Sequence, residues 1–164
     1  MRKELAQQLL RELLKNSKRS DRELAKILKV SQPTITRARH KLEKDGMIQD
    51  YTIIPNFEKM GFEILAITFA KLSPEILTTE EMRKKGKEYA AKVPYVVFVS
   101  SGEGVGMNAV IIAFHKNYTD FHRTLNQVRL DWKDYLQDVQ SFTVSLKEGQ
   151  FKRFSLTYLK DVPL

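Results

Sequence analysis

Polar side chains crowd between Ser31 and Lys41: Ser31, Gln32, Thr34, Thr36, Arg37, Arg39, His40 and Lys41. Short hydroxyl and amide groups suit hydrogen bonds to base edges in a major groove. Cations suit guanine or the flanking phosphates. On one helix Arg37, Arg39, Lys41 and Lys44 cannot all face bases. The spacing therefore assigns base edges to Gln32, Thr34, Thr36 and Arg37, and the sugar-phosphate backbone to Arg39, His40 and Lys41. Lys18, Arg19 and Arg22, near the start of the preceding helix, offer further phosphate contacts. The plain alternative is a solvated basic helix surface.

A second cluster, Gly102, Gly104, Gly106 and Asn108, offers backbone amides that can cradle a carboxylate or phosphate. It lacks the Lys-Ser/Thr of a P-loop and joins two strands instead of opening a helix. A flexible or bulged hairpin is the simpler reading. His40, His115 and His122 lack metal-ligand spacing, and there is no cysteine. No Ser-His-Asp pattern or carboxylate pair stands out. The expectation is a protein without metal, cofactor or catalytic residues.

The elements that position the first cluster are legible. Ser31 reads as an N-cap with Pro33 in the first turn, and Gly46 as a left-handed stop. Ile35, Ala38 and Leu42 form an apolar stripe on that helix. Ser20-Asp-Arg-Glu23 is a capping box opening a helix from Asp21 to about Leu28, which buries Leu24, Ala25 and Leu28. Lys29-Val30 is long enough only for a tight turn. Before it, residues 2–16 form a helix with Leu5, Leu9, Leu10, Leu13 and Leu14 inward. Small Ala25 at the closest approach and apolar residues on both sides of the turn satisfy a helix-turn-helix. Lys29 departs from the glycine such turns often carry. Met47-Ile48 and Tyr51 to Ile54 read as the hairpin of a wing, and Pro55 to Phe62 as a linker.

Beyond Glu63 the pattern changes. Strands are expected at 63–72, 95–101, 109–114 and 139–146. Helices are expected from Thr78, through a second capping box with Glu81, to about Lys92, and from Thr119 as far as Asp138. The order β-α-β-β-α-β defines a ferredoxin-like sandwich. The fold class is α+β: an N-terminal winged helix-turn-helix over 1–54, a linker over 55–62, and a ferredoxin-like effector and dimerisation domain with its tail over 63–164. Such a sheet carries helices on one face and needs a cover on the other, for which a second copy is simplest. The tail from Gly149 suits an edge strand or a segment packing on the partner subunit.

The 164 residues carry a net charge of +8. Residues 1–62 hold 14 Lys/Arg against 8 Asp/Glu, so most of the excess lies in the first third. No apolar run suits a signal peptide or a membrane span, which places the chain in the cytoplasm with no membrane partner.

The segment SDRELAKILKVSQPTITRARHKLEKDGMI resembles the Lrp/AsnC, or feast/famine, regulators. The matching residues are Glu23-Leu24-Ala25, Ser31, Arg39 with Leu42-Glu43, and Gly46 to Ile48. Weaker echoes are Gly61, Thr143 to Leu146 and Val162-Pro163-Leu164. The resemblance implies a sequence-specific transcriptional regulator that binds double-stranded DNA as a homodimer, tetramer or octamer. It also implies control by a small-molecule effector such as an amino acid. Two features depart from the family. The turn Gly102 to Asn108 has no tyrosine and places Asn108 near the usual aspartate, and DWKDYLQDV lacks a Pro-Gly break. The alternative is an enzyme on the same scaffold, similar to sirohaem decarboxylases, for which the second half offers no cluster of histidines and arginines. A sensor or assembly module that has lost DNA binding is a third reading, which the basic first third opposes.

Overall fold

A computed structural model describes residues 3–74, 79–93, 95–148 and 150–162. The chain divides into two compact units, Met1–Ile54 with Lys152–Leu164, and Pro55–Phe151. The expected linker thus belongs with the sheet, and the tail belongs with the helices.

In the first unit, α1 (Lys3–Lys15), α2 (Asp21–Leu28) and α3 (Gln32–Lys44) surround one core. Leu9, Leu13, Leu24, Ala25, Ile35, Ala38 and Leu42 fill it, with Ala6, Leu28, Val30 and Ile48 at its margin. The capping box forms as expected: the Glu23 amide donates to Ser20 Oγ at 3.3 Å, and the Ser20 amide donates to Glu23 Oε2 at 2.7 Å. Lys29 takes the left-handed conformation that glycine usually supplies, at φ 53° and ψ 43°. Its amide donates to the Ala25 carbonyl, which closes the turn. Gly46 is also left-handed, at φ 71°. Glu12 at the end of α1 is paired with Lys15 and Arg19, which ties the α1–α2 connection.

The wing differs from expectation. Residues 48–56 carry no strand ladder. The Asp50 carboxylate takes the Tyr51 amide at 2.7 Å, and the Tyr51 hydroxyl donates to Glu43 Oε1 at 2.9 Å. Side-chain bonds of this kind satisfy the segment locally, in competition with strand pairing. The tail also differs. A 3-10 helix, Leu156–Asp161, lies along α1 of its own chain, and Ser155 Oγ accepts from the Thr157 amide at 3.1 Å.

The second unit contains β1 (Ile64–Leu72), α4 (Glu80–Ala91), β2 (Val96–Gly104), β3 (Met107–His115), α5 (Tyr118–Asp131) and β4 (Leu136–Ser145). All pairings are antiparallel, in the order β2-β3-β1-β4 of the ferredoxin-like fold. One face buries Ala66, Thr68 and Ala70 of β1 with Ala109, Ala113 and His115 of β3. These small residues let α5 approach, with Phe121 packed edge-on to His115. The opposite face carries Leu65, Ile67, Phe69, Val110 and Ile112. At its sides, Phe98 and Phe142 are 50% and 65% exposed.

Two helix ends depart from the sequence reading. Thr79 is the N-cap of α4 and its side chain makes no cap bond; three residues on stands Met82, so the returning carboxylate of a capping box is missing as well. The expected cap residue Thr78 lies outside the described residues. Helix α5 stops at Asp131 instead of Asp138. Trp132 and Tyr135 keep the apolar spacing but sit in a turn, where Trp132 packs edge-on to Tyr89 at 5.5 Å between ring centroids. Pairing of Leu136 with Leu72 then starts β4 early. The Tyr89 hydroxyl joins α4 to α5 by donating to Asp131 Oδ2 at 2.6 Å.

His115 is 2% exposed, and among the described residues its Nδ1 has no hydrogen-bond partner; Asp120 Oδ2 stands 3.7 Å away. Burial lowers its pKa more than Asp120 raises it. The folded state therefore binds fewer protons than the unfolded state as pH falls below the ordinary histidine value of about 6.5. Stability is expected to be full above that pH and to fall through it, an acid-side slope that His115→Phe removes in urea titrations at successive pH values.

Candidate nucleic-acid interface

Helix α3 opens on Ser31, whose Oγ accepts from the Thr34 amide at 3.4 Å and lies 2.7 Å from Thr34 Oγ1. Its core stripe of Ile35, Ala38 and Leu42 fixes which sides remain outside. Ser31, Gln32, Arg37, His40 and Lys41 are exposed and Thr34 is half-buried. Arg37 Nε bends back to donate to the Pro33 carbonyl, at 3.2 Å. Lys41 has a distant partner, Asp45 at 4.0 Å, and His40 Nδ1 lies 3.2 Å from Glu43 Oε2. These groups make one solvent-facing arc of donors and cations.

Thr36 and Arg39, expected at the DNA, are turned toward α2. Thr36 Oγ1 donates to Asp21 Oδ2 at 2.7 Å, and Arg39 Nε donates to Asp21 Oδ1 at 2.8 Å. The other Arg39 nitrogens donate to the Arg19 carbonyl and the Tyr51 hydroxyl, both at 3.3 Å. Burial raises the Asp21 pKa, but the hydrogen bonds from Thr36 and Arg39, with the arginine charge, bring it below its ordinary value. Asp21 and Tyr51 escaped the sequence reading of the site. Asp21 signals itself only as an acid in the first turn of α2, where a carboxylate is favoured whatever it touches.

The glycine cluster forms a tight hairpin. Val105 and Gly106 are consecutively left-handed at φ 49° and 76°, and Gly104 pairs with Met107 across them. Two left-handed central residues are the requirement of a type I′ turn, and a register shift between Ser101 and Gly104 adds the bulge. The Asn108 amide is turned to β1. Its Nδ2 donates to the Leu72 carbonyl at 2.7 Å, and its Oδ1 accepts from the Leu72 amide at 2.8 Å. The amide group thus extends the β1–β3 ladder. A cavity of about 740 Å³ lies at the other end of β3, lined by Phe62, Tyr95, Phe114, Lys116 and Arg123 among others, and by none of the turn glycines. Among the described residues no group of three His, Asp or Glu is placed to hold a metal ion.

A capped helix-turn-helix with such an arc, joined to a ferredoxin-like unit, defines a DNA-binding regulator. A family model described as winged helix-turn-helix DNA-binding matches residues 2–49. Over 126 residues the chain is 33% identical to an HTH-type transcriptional regulator of Pyrococcus abyssi, covering 76% of this chain and 80% of that one. The crystal structure of PH0061, an HTH-type regulator of Pyrococcus horikoshii, matches with a TM-score of 0.74 and 28% identity over 94% of this chain and 99% of that one. A transcriptional regulator of Neisseria meningitidis, solved as an L-Met complex, shares the fold with a TM-score of 0.76 at 18% identity, over 97% and 99% of the two chains. The chain belongs to the Lrp/AsnC family of helix-turn-helix transcriptional regulators.

Proposed function

We propose that this regulator binds near-palindromic double-stranded DNA as a homodimer. Gln32, Thr34 and Arg37 read base edges, and Ser31, His40 and Lys41 grip the flanking backbone. The observation carrying this reading is the exposed arc of α3, held at fixed register by the capped turn and the buried stripe beneath it. The open apolar face of the sheet supports dimerisation, and tetramers or octamers extend the same principle. The protein works in the cytoplasm and is not an enzyme; among the described residues no helix is long and apolar enough to cross a membrane. A small-molecule effector, an amino acid by analogy with the L-Met complex of the Neisseria regulator, engages the backbone of Gly102, Gly104 and Gly106 at the hairpin. Asn108 shapes that turn through Leu72.

Selection of bound fragments from random DNA tests the core of this reading. The expected product holds two related half-sites about one helical turn, or a multiple of it, apart. No enrichment, or a single asymmetric site, would sink it. In a companion measurement, Arg37→Ala with Lys41→Ala is expected to weaken binding and to flatten the dependence of log K on log salt by about 0.9 for each phosphate that is no longer neutralised. An unchanged slope would remove Lys41 from the phosphate contacts, and an unchanged affinity would remove Arg37 from the base edges.

A further inference from the structure

We infer that Asp21 is a specificity-determining positioning residue, which withholds Thr36 and Arg39 from DNA and fixes the face that α3 presents; this rests on the DNA-binding reading above. Both carboxylate oxygens are engaged, one by the Thr36 hydroxyl and the other by Arg39 Nε. Thr36 and Arg39 stand three residues apart, so they occupy one side of α3 over successive turns. Anchoring both to α2 locks rotation of α3 about its axis.

Each of the three Arg39 nitrogens also has a partner. Nε binds Asp21, Nη2 binds the Arg19 carbonyl and Nη1 binds the Tyr51 hydroxyl. The guanidinium also lies over the Tyr51 ring, 5.8 Å from its centroid. The same hydroxyl donates to Glu43 one turn further along α3. The circuit therefore closes from α2 through α3 to the segment beyond it. Side-chain exposures of 17% for Arg39 and 20% for Asp21 separate this pair from the exposed Arg37 and Lys41.

The energetic consequence is directional. A free arginine on a DNA-binding helix strengthens binding to any sequence through phosphate contact. Paired to Asp21, Arg39 adds nothing to that indiscriminate attraction, and the carboxylate repels phosphate from the same spot. Discrimination then comes from the groups on the exposed arc. Removing the carboxylate releases a cation and loosens the register of the helix, so binding to random DNA rises while the preference for the selected site falls.

The test uses the full chain with two duplexes, the selected site and a random sequence of equal length, over a salt series. Asp21→Asn keeps the shape and removes the charge. It is expected to raise affinity for the random duplex several-fold, steepen its salt slope by about 0.9, and lower the preference for the selected site by about tenfold. The double variant Asp21→Asn with Arg39→Gln is expected to return the slope to that of the parent. A carboxylate that only stabilises the start of α2 would instead weaken binding to both duplexes in proportion with the slope unchanged, and that result overturns the proposal. Arg39→Gln alone guards against a folding defect in the Asp21 variant. It is expected to leave the salt slope unchanged, whereas a decrease of about 0.9 would identify Arg39 as a phosphate contact and overturn the proposal. Failure of the parent protein to select any site would instead defeat the DNA-binding reading itself.

Discussion

Replacing Ile67 with lysine is expected to convert the protein to a monomer and to weaken binding to a two-half-site operator by about 10²- to 10⁴-fold. Ile67 stands mid-strand, paired with Ile112 on β3 and Phe142 on β4. Those three residues lie across the middle of the open sheet face. In an isolated protomer a lysine there keeps its ammonium in water, with its stem along the neighbouring side chains. Against a second apolar face the same charge is buried without a partner, at a cost of several kcal/mol. The two recognition helices then bind separately, and the gain from linking them disappears. Analytical ultracentrifugation reports the mass, and a circular dichroism melt reports that the protomer still folds. A folded Ile67→Lys variant that remains a dimer would show that the copies associate through another surface.

The second large effect concerns stability. Leu24→Ala is expected to destabilise the helical unit by about 2–5 kcal/mol and to abolish DNA binding near physiological temperature. Leu24 is 0% exposed and sits among Leu9, Ile35 and the other core residues of that unit. A unit of this size has a stability of only a few kcal/mol, at about 0.05–0.15 kcal/mol per residue. One truncation therefore consumes much of it. The melt of the variant is expected to split in two, with helical signal lost first and the sheet unit retained. Ile27, on the same helix and 45% exposed, is the control. Its change to alanine is expected to cost well under the Leu24 value, because surface substitutions stay near ±0.5 kcal/mol. A single transition in Leu24→Ala at the parent's temperature would refute the packing argument.

Determined by the sequence alone were those features whose causes lie within a few residues. The Ser20–Glu23 box sets the start of α2, Ser31 caps α3, and the apolar stripe of α3 follows from helical spacing. The βαββαβ order was legible for the same reason: strand runs and helical periods alternate, and only a few topologies accommodate them. Even the tight hairpin at Val105-Gly106 was foreshadowed by its glycines.

The tertiary structure decided which groups meet across elements. Periodicity says that Thr36 and Arg39 leave the core stripe; the crossing of α2 and α3 alone brings them to Asp21. The β1–β3 register likewise sets the Asn108 amide against Leu72, a pairing that no local pattern records. Trp132 and Tyr135 obey a helical period that the Leu72–Leu136 pairing interrupts, since spacing records burial and not the backbone that achieves it. The tail, ambiguous by pattern, lies along α1 of its own chain. In each case the deciding partner lies far along the chain, and its hydrogen bonds or apolar contacts outweigh the weak local preference. The fold and the position of the recognition helix were therefore written locally. Which of its cations pairs within the helical unit was settled by a carboxylate 18 residues from Arg39.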